Sequence, residues 1–449
     1  MTRSPSWPDA PLAVILSLDD PGCTAAVVGP KAAALARLRK AGLPVPDGFA
    51  LAAPASEAQL REARVAQQVE RLFEIVNSGG EWRRQAIAVR ASLSRTPVPL
   101  EIADALRAAS RRLRPPLAVR SSALVEDGVS ATFAGLFTTL LGVLNIDDLA
   151  TAVSACWLSR FSDVVIRYAI GRGVDLRRTS MAVVVQEAID ARSAGSALSI
   201  DPTGAIVISG AWGLGRAVAE GQVVPDWWRV DRGDFTVLER RGGTKPLAAR
   251  LDPRGGEVWR RQTQRRSTAI CLDDRTVHRL AALVVEAERI FGRPREVEWA
   301  LDGRKRLWLV QARPLTAVRT VEQIPDSDPI VAWLLGGSVL EGQPTSPGQV
   351  LGRARHVGRS GRMQSGDVLI AASLPPGMTA VVAGVGGLVL EAGGSTGHAA
   401  TLARERGIPA VFGLEGATHA IPDGAHILLD GTLGRAWYRL EDCPRTIDR

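Results

Sequence analysis

The run LVLEAGGSTGHAATLARERGIP, from Leu388 to Pro409, decides how this chain is read. Its apolar start, Leu388 to Leu390, makes a buried strand. Gly393 and Gly394 then permit a tight turn and close approach of another backbone. His398 opens a helix that Gly407 stops, with Pro409 just beyond, as breakers fall past a helix end. A helix start presents N–H groups that lack intrahelical partners and so favours an anion. An imidazole there can act as a nucleophile towards a phosphoryl group, with backbone donors and Thr396 around the phosphate. The plainer alternative is that His398 only caps its helix. His278, His356, His419 and His426 have no comparable setting and read as structural or surface residues.

Composition narrows the rest. At roughly 150 residues per domain, 449 residues suggest about three structural units. A hydrophobic content of 46% is enough for sizeable cores and excludes disorder as the main state. The 45 Gly and 27 Pro show no fixed period, which excludes a collagen-like chain. Cys23, Cys156, Cys271 and Cys443 are scattered with no CxxC. That excludes a disulfide scaffold or a Cys-rich zinc site and fits a reducing cytosol. The net charge of +8 is carried almost wholly by arginine, since Lys31, Lys40, Lys245 and Lys305 are the lysines. The arginines are spread along the chain, not clustered with aromatics, so no nucleic-acid partner is expected. Met1–Pro11 lacks a basic region followed by an apolar run, so a cytoplasmic protein is expected. Val368–Leu390 is uncharged for 23 residues. Pro375, Pro376 and four glycines make it strand, turn, helix and strand rather than a membrane span.

Helices and strands alternate along the chain, which favours α/β or α+β units. Helices are expected over Lys31–Ala41, after a Gly29-Pro30 turn, and over Leu100–Leu113. Asp147–Tyr168 reads as one long helix or two, with Asp147 as N-cap, and Val277–Phe291 as another helix stopped by Gly292. Leu117–Val119 is expected as a short strand leading into a polar loop over 120–131. Ala182–Gln186 and Ala205–Ser209 read as further strands. Glu296–Leu301 and Arg306–Gln311 flank an Asp302-Gly303 turn, a hairpin signal. Glu296 and Glu298 then share one face, and pairing would set Glu298 beside Gln311. Residues 317–329 are polar and without period, like a linker. No internal repeat is evident.

The quoted run resembles the phosphohistidine swivelling domain of the phosphoenolpyruvate synthase, pyruvate phosphate dikinase and rifampicin phosphotransferase superfamily. The similarity lies in Gly393-Gly394-Ser395-Thr396-Gly397-His398-Ala399-Ala400 and in Ala403-Arg404 through Gly407-Ile408-Pro409-Ala410-Val411-Phe412-Gly413. Ser346-Pro347-Gly348, Gly366-Asp367-Val368-Leu369, and Asp423-Gly424 through Asp430-Gly431 also fit. Upstream, Val28-Gly29-Pro30-Lys31, Val119-Arg120-Ser121-Ser122-Ala123 with Glu126-Asp127 and Thr132-Phe133-Ala134-Gly135, Val183 to Glu187, Glu296 to Leu301 and Leu309 to Pro314 are similar to the superfamily's ATP-grasp nucleotide-binding domain. The implied class is α/β and α+β: an ATP-grasp-type domain over 1–318, with lobes of about 1–185 and 186–318. A linker over 319–340 and a small swivelling β/α domain over 341–449 would follow.

The resemblance implies that Lys31, Arg120 and Arg313 contact nucleotide phosphates, and that the strand ending in Gln186 and Glu187 leads to the adenine pocket. It further implies that Glu298 and Gln311 hold Mg²⁺, that His398 carries the phosphoryl group, and that Gly393, Gly394 and Thr396 form its loop. A guanidinium beside hydroxyls suits phosphate, and a sparse oxygen set suits Mg²⁺, which keeps water and phosphate ligands. The chain departs from the family pattern at Pro30, Leu136, Glu296 and, by a charge reversal, Arg216. The resemblance leaves no stretch for the superfamily's TIM-barrel or drug-binding domain. The acceptor site is therefore expected on a separate subunit, at the interface of the two domains, or absent.

The expected activity is an ATP-dependent phosphotransferase that passes the β-phosphate through a phosphohistidine at His398, releasing AMP and phosphate. The acceptor would be pyruvate on a partner subunit, a metabolite or antibiotic, or a partner protein. The alternatives are an ATP-binding regulatory subunit, for which Arg216 argues, and an ADP-forming ATP-grasp ligase in which His398 is dispensable.

Overall fold

The computed structural model describes residues 14–126, 133, 135–315, 338–357, 363–374, 381–395 and 397–439. Thr396, Asp127, Thr132, Cys443 and the linker-like stretch lie outside them. The chain divides into two compact units. The first holds Met1–Lys40, Pro46–Ala188 and Pro253–Gly256. The second holds Ala41–Val45, Ile189–Asp252 and the chain from Glu257 onward.

The first unit is built on a five-stranded sheet in the order Ile15–Ser17, Gly48–Leu51, Met181–Glu187, Leu117–Ala123, Thr139–Val143. All its neighbouring strands are antiparallel. Side chains alternate between the two faces. Val119, Val183 and Val185 join an apolar cluster with Phe73, Leu106, Val153 and Ile166 of the surrounding helices. The helix Ala25–Lys40 packs on the central strands. It is kinked at Gly29, where φ is 73°. A side chain at Gly29 would place its Cβ 2.2 Å from the Ser122 carbonyl oxygen, so this close approach requires glycine.

The strand carrying Arg120 runs from Leu117 to Ala123, not only to Val119. Its polar half stays in the sheet because Ser122 Oγ bonds the Val28 carbonyl at 2.8 Å and both serines are buried. The stretch after Asn145 forms two helices, Ile146–Ser159 and Asp163–Arg172, capped by the Asn145 and Ser162 side chains rather than by Asp147. By length and composition this stretch could cross a membrane. Its apolar side, including Leu149, Val153 and Val165, belongs to the core of the first unit.

The second unit contains a six-stranded sheet in the order Leu307–Pro314, Arg295–Asp302, Ala191–Leu198, Ile206–Trp212, Asp226–Val230, Val237–Arg241. The helix Asp274–Phe291 packs on it, capped by Asp273 and ended by Gly292 in the left-handed conformation. The fully buried pair Lys245–Asp226 pins one corner, with Asp226 also accepting from the Gly243 N–H at 2.9 Å and the Cys271 N–H at 2.7 Å.

The same unit carries an eight-stranded sheet whose strands Gln349–His356, Val368–Ala371, Gly387–Leu390 and Ala410–Phe412 run parallel. The helix His398–Arg406 is the crossover between the last two. Within Val368–Leu390, the described residues form a strand, a 3₁₀ turn at Val381–Gly384 and a second strand, all near a buried core.

Cys23, Cys156 and Cys271 are buried and free. Burial pushes the Cys23 thiol up to about 11 and the Cys156 thiol to about 12, and raises Cys271 well above its usual value. Thiolate is the reactive form. These three residues are therefore expected to resist Ellman's reagent at pH 8 until guanidinium unfolds the chain. Fast native labelling at any of them, located by peptide mass mapping, would contradict this burial.

Candidate functional site

In the first unit, Lys31, Arg120 and Gln186 gather on one side of the sheet. Arg120 pairs with Val184 in register, so it shares a face with Gln186 two residues on. Lys31 is buried and its Nζ donates to the Ser121 carbonyl at 2.6 Å and to Glu126 Oε1 at 3.0 Å. Gln186 Nε2 donates to the Pro46 carbonyl at 3.2 Å. Glu187 turns to the opposite face, where its carboxylate accepts from the Arg114 N–H at 2.9 Å. The N–H groups of Glu187 and Ala188 are committed to Asp47 and Pro116, each at 2.9 Å.

In the second unit, one face of the six-stranded sheet carries two polar rows. Register pairing aligns Gln311, Glu298, Ser196, Ser209, Trp227 and Arg241 across the six strands. The neighbouring row is Arg313, Glu296, Leu198, Val207, Arg229 and Glu239. Paired strands lie about 4.8 Å apart, so Glu298 and Gln311 are adjacent oxygen donors. Among the described residues no group of three or more His, Cys, Asp or Glu forms a metal cluster. A carboxylate and an amide oxygen side by side still fit an ion that takes most of its ligands from phosphate and water.

The loop before His398 rests on this face. Ser395 Oγ lies 3.4 Å from Ser209 Oγ, and the Gly393 N–H donates to the Val223 carbonyl at 3.0 Å. Gly393 has φ 98°, and a Cβ on Gly394 would meet Pro225 Cγ at 2.7 Å. Both glycines are therefore required by backbone shape and close approach. The crossover helix begins at His398 behind Gly397, which gives no side-chain cap. Its first-turn N–H groups lie past the carboxyl end of a parallel strand, where α/β folds bind anions.

A buried ionic cluster fastens the same helix. Arg313 Nη2 donates to Glu296 Oε1 at 2.7 Å and to Thr401 Oγ1 at 2.8 Å. Arg404 Nη2 reaches Glu296 Oε2 at 3.4 Å, and its Nη1 donates to the Thr345 and Ser395 carbonyls. Burial pulls the Arg404 guanidinium below its ordinary value, opposed by Glu296 and reinforced by Arg313. Sequence reasoning did not assign Arg404, Thr401, Ser209 or Ser395. The three-residue spacing of Thr401 and Arg404 on one helix was the available signal.

Arg216 is paired on both sides, with Glu220 at 2.6 Å and with Glu257. The charge reversal is thus locally compensated. Leu136 packs against the first unit's core. Of the remaining histidines, the His356 ring bonds the Ile421 carbonyl at 2.8 Å and His278 stacks edge-on against Phe235, both structural settings.

The family described as pyruvate phosphate dikinase, AMP/ATP-binding domain, matches residues 25–329. The chain belongs to the phosphoenolpyruvate synthase and pyruvate phosphate dikinase superfamily. The family described as PEP-utilising enzyme, mobile domain, matches residues 363–434, which include His398 and its loop. The phosphoenolpyruvate synthase of Aeropyrum pernix is 33% identical over 91% of this chain and 56% of its own length. The probable phosphoenolpyruvate synthase of Methanothermobacter thermautotrophicus is 32% identical over 93% of this chain and 62% of its own. The Escherichia coli phosphoenolpyruvate synthase is 31% identical over 88% and 53%. The chain thus spans little more than half the length of these relatives. Its fold class is that of the superfamily, an ATP-grasp-type nucleotide-binding domain followed by the swivelling domain.

Proposed function

We propose that this superfamily member is an ATP-dependent phosphotransferase working through a phosphohistidine at His398. The single observation that supports this reading best is the seating of the His398 loop. Ser395 bonds Ser209 in the same sheet row as Glu298 and Gln311. Two strand spacings separate Glu298 from Ser209, about 10 Å, a span a nucleotide triphosphate can bridge.

In this reading the region up to about 318 binds ATP and the region from about 341 carries the phosphoryl group, with 319–340 between them. Lys31, Arg120 and Arg313 offset the charge of the polyphosphate. Glu298 and Gln311 hold Mg²⁺, which neutralises phosphate oxygens when bound. A His398 ring nitrogen attacks the β-phosphorus, forming an N–P bond as the bond to the AMP oxygen breaks. Loss of the γ-phosphate to water leaves phosphohistidine. Arg313 is held by Glu296 and Thr401 before nucleotide arrives, so polyphosphate must compete for it. The acceptor belongs to one of three classes: pyruvate on a partner subunit, a metabolite or antibiotic, or a partner protein.

Incubation with Mg²⁺ and ATP labelled at the β position tests the reading. Acid-labile protein-bound label and AMP are the expected products. Glu298→Ala is expected to slow labelling by about a hundredfold and to raise the Mg²⁺ requirement. Labelling in that variant at the parent rate and the same Mg²⁺ would remove Glu298 from the site.

A further inference from the structure

Glu296 is the meeting point of two routes from the paired strands Arg295–Asp302 and Leu307–Pro314 to the loop before His398. The first route runs through Arg404. Its Nη2 reaches Glu296 Oε2 at 3.4 Å, and its Nη1 donates to the Ser395 carbonyl and, at 3.2 Å, to the Thr345 carbonyl. The second runs through Arg313 and Thr401. Arg313 Nη2 donates to Glu296 Oε1 at 2.7 Å and to Thr401 Oγ1 at 2.8 Å. Thr401 Oγ1 in turn donates its own hydrogen to the Gly397 carbonyl at 3.3 Å. Each route thus ends on a backbone carbonyl within three residues of His398.

Glu296, Arg313, Thr401 and Arg404 are all buried. Away from water, hydrogen bonds are electrostatically stronger and each polarises the next along a chain. The place of the two guanidiniums therefore bears on the place of the two carbonyls. A plainer role would be to fasten the helix His398–Arg406. That helix can start without the Thr401 hydroxyl, because the Gly397 carbonyl also accepts from the Thr401 N–H at 3.1 Å. What the hydroxyl adds is a link to Arg313, the arginine assigned above to phosphate.

We infer that Thr401 and Arg404 are positioning residues, which set the loop carrying His398 by the place of Arg313 and Glu296 on the paired strands. The inference rests on the phosphohistidine reading above and deepens it. In this role the two residues act through backbone carbonyls rather than on the phosphate. Arg313 holds the polyphosphate, and the two routes hold the nucleophile's loop at its approach to phosphorus. Misplacing a reacting group by about 1 Å costs on the order of a hundredfold in rate.

Single-turnover labelling of the full chain with Mg²⁺ and β-labelled ATP tests this. It reads the limiting rate constant, the ATP concentration that gives half of it, and the final amount of label. Thr401→Val removes the hydroxyl at nearly constant shape. Arg404→Lys keeps the charge but lacks the planar fork that spans a carboxylate and two carbonyls. The limiting rate is expected to fall about tenfold in Thr401→Val and about a hundredfold in Arg404→Lys. The half-rate ATP concentration in Thr401→Val is expected to stay level or fall, because Arg313 has lost a competing partner. A merely structural role would instead lower the amount of label and leave the rate constant of the folded fraction at the parent's value. That result overturns the inference, as does a raised half-rate ATP concentration at the parent's limiting rate. Should Arg404→Lys fail to fold, Thr401→Val alone decides. A parent protein that never takes label overturns the phosphohistidine reading itself, and the positioning role with it.

Discussion

His398→Ala is expected to take no acid-labile label from β-labelled ATP and to form no AMP above background. The substitution removes the one nucleophile the mechanism needs. It leaves the helix His398–Arg406 intact, because alanine favours a helix and Gly397 supplies the turn before it. The Ser209–Ser395 contact and the Arg404–Glu296 contact are made by other side chains. ATP binding should therefore survive, which separates a catalytic loss from unfolding. A phosphoramidate falls apart in mild acid and survives alkali, so the lability of the parent's label identifies the bond. Label retained in the variant would sink the mechanism. ADP release without protein label would favour the ligase, and bound ATP with neither product would favour a binding subunit.

Asp226→Ala is expected to give the largest loss of stability of any single change considered, about 3–5 kcal/mol. Asp226 and Lys245 are fully buried, and the carboxylate also takes the N–H groups of Gly243 and Cys271. Removing it strands an ammonium and two backbone donors in a fully buried site. The urea midpoint of the second unit should fall accordingly. An Asp226→Leu, Lys245→Met double variant should recover part of the loss, since it removes the buried charge altogether. A loss below about 1 kcal/mol in the single variant would mean that the pair is solvated like a surface bridge.

Much of the candidate site's local geometry could be read from the chain because it is set by near neighbours. The glycine turn, the helix opening at His398 and the hairpin that pairs Glu298 with Gln311 are encoded within a few residues. What escaped reading depends on partners far along the chain. Arg120 lies inside a strand because Ser122, which looks like loop chemistry, bonds a carbonyl of the helix Ala25–Lys40. Asn145 takes the capping role expected of Asp147, since either residue type suits it and only the backbone decides. Arg404 lies within a motif, yet its tie to Glu296 spans 108 residues and has no periodic signature.

The pairing of Arg216 with Glu220 and Glu257 ties together parts of the second unit that are far apart in sequence. Glu220, one turn along the same helix, and Glu257, on a strand 41 residues away, hold the guanidinium from two sides. A glutamate at 216 alone would crowd three like charges and is expected to lower the stability of the second unit. Arg216 is thus a fastener between a short helix and a distant strand, not a charge left over at the surface.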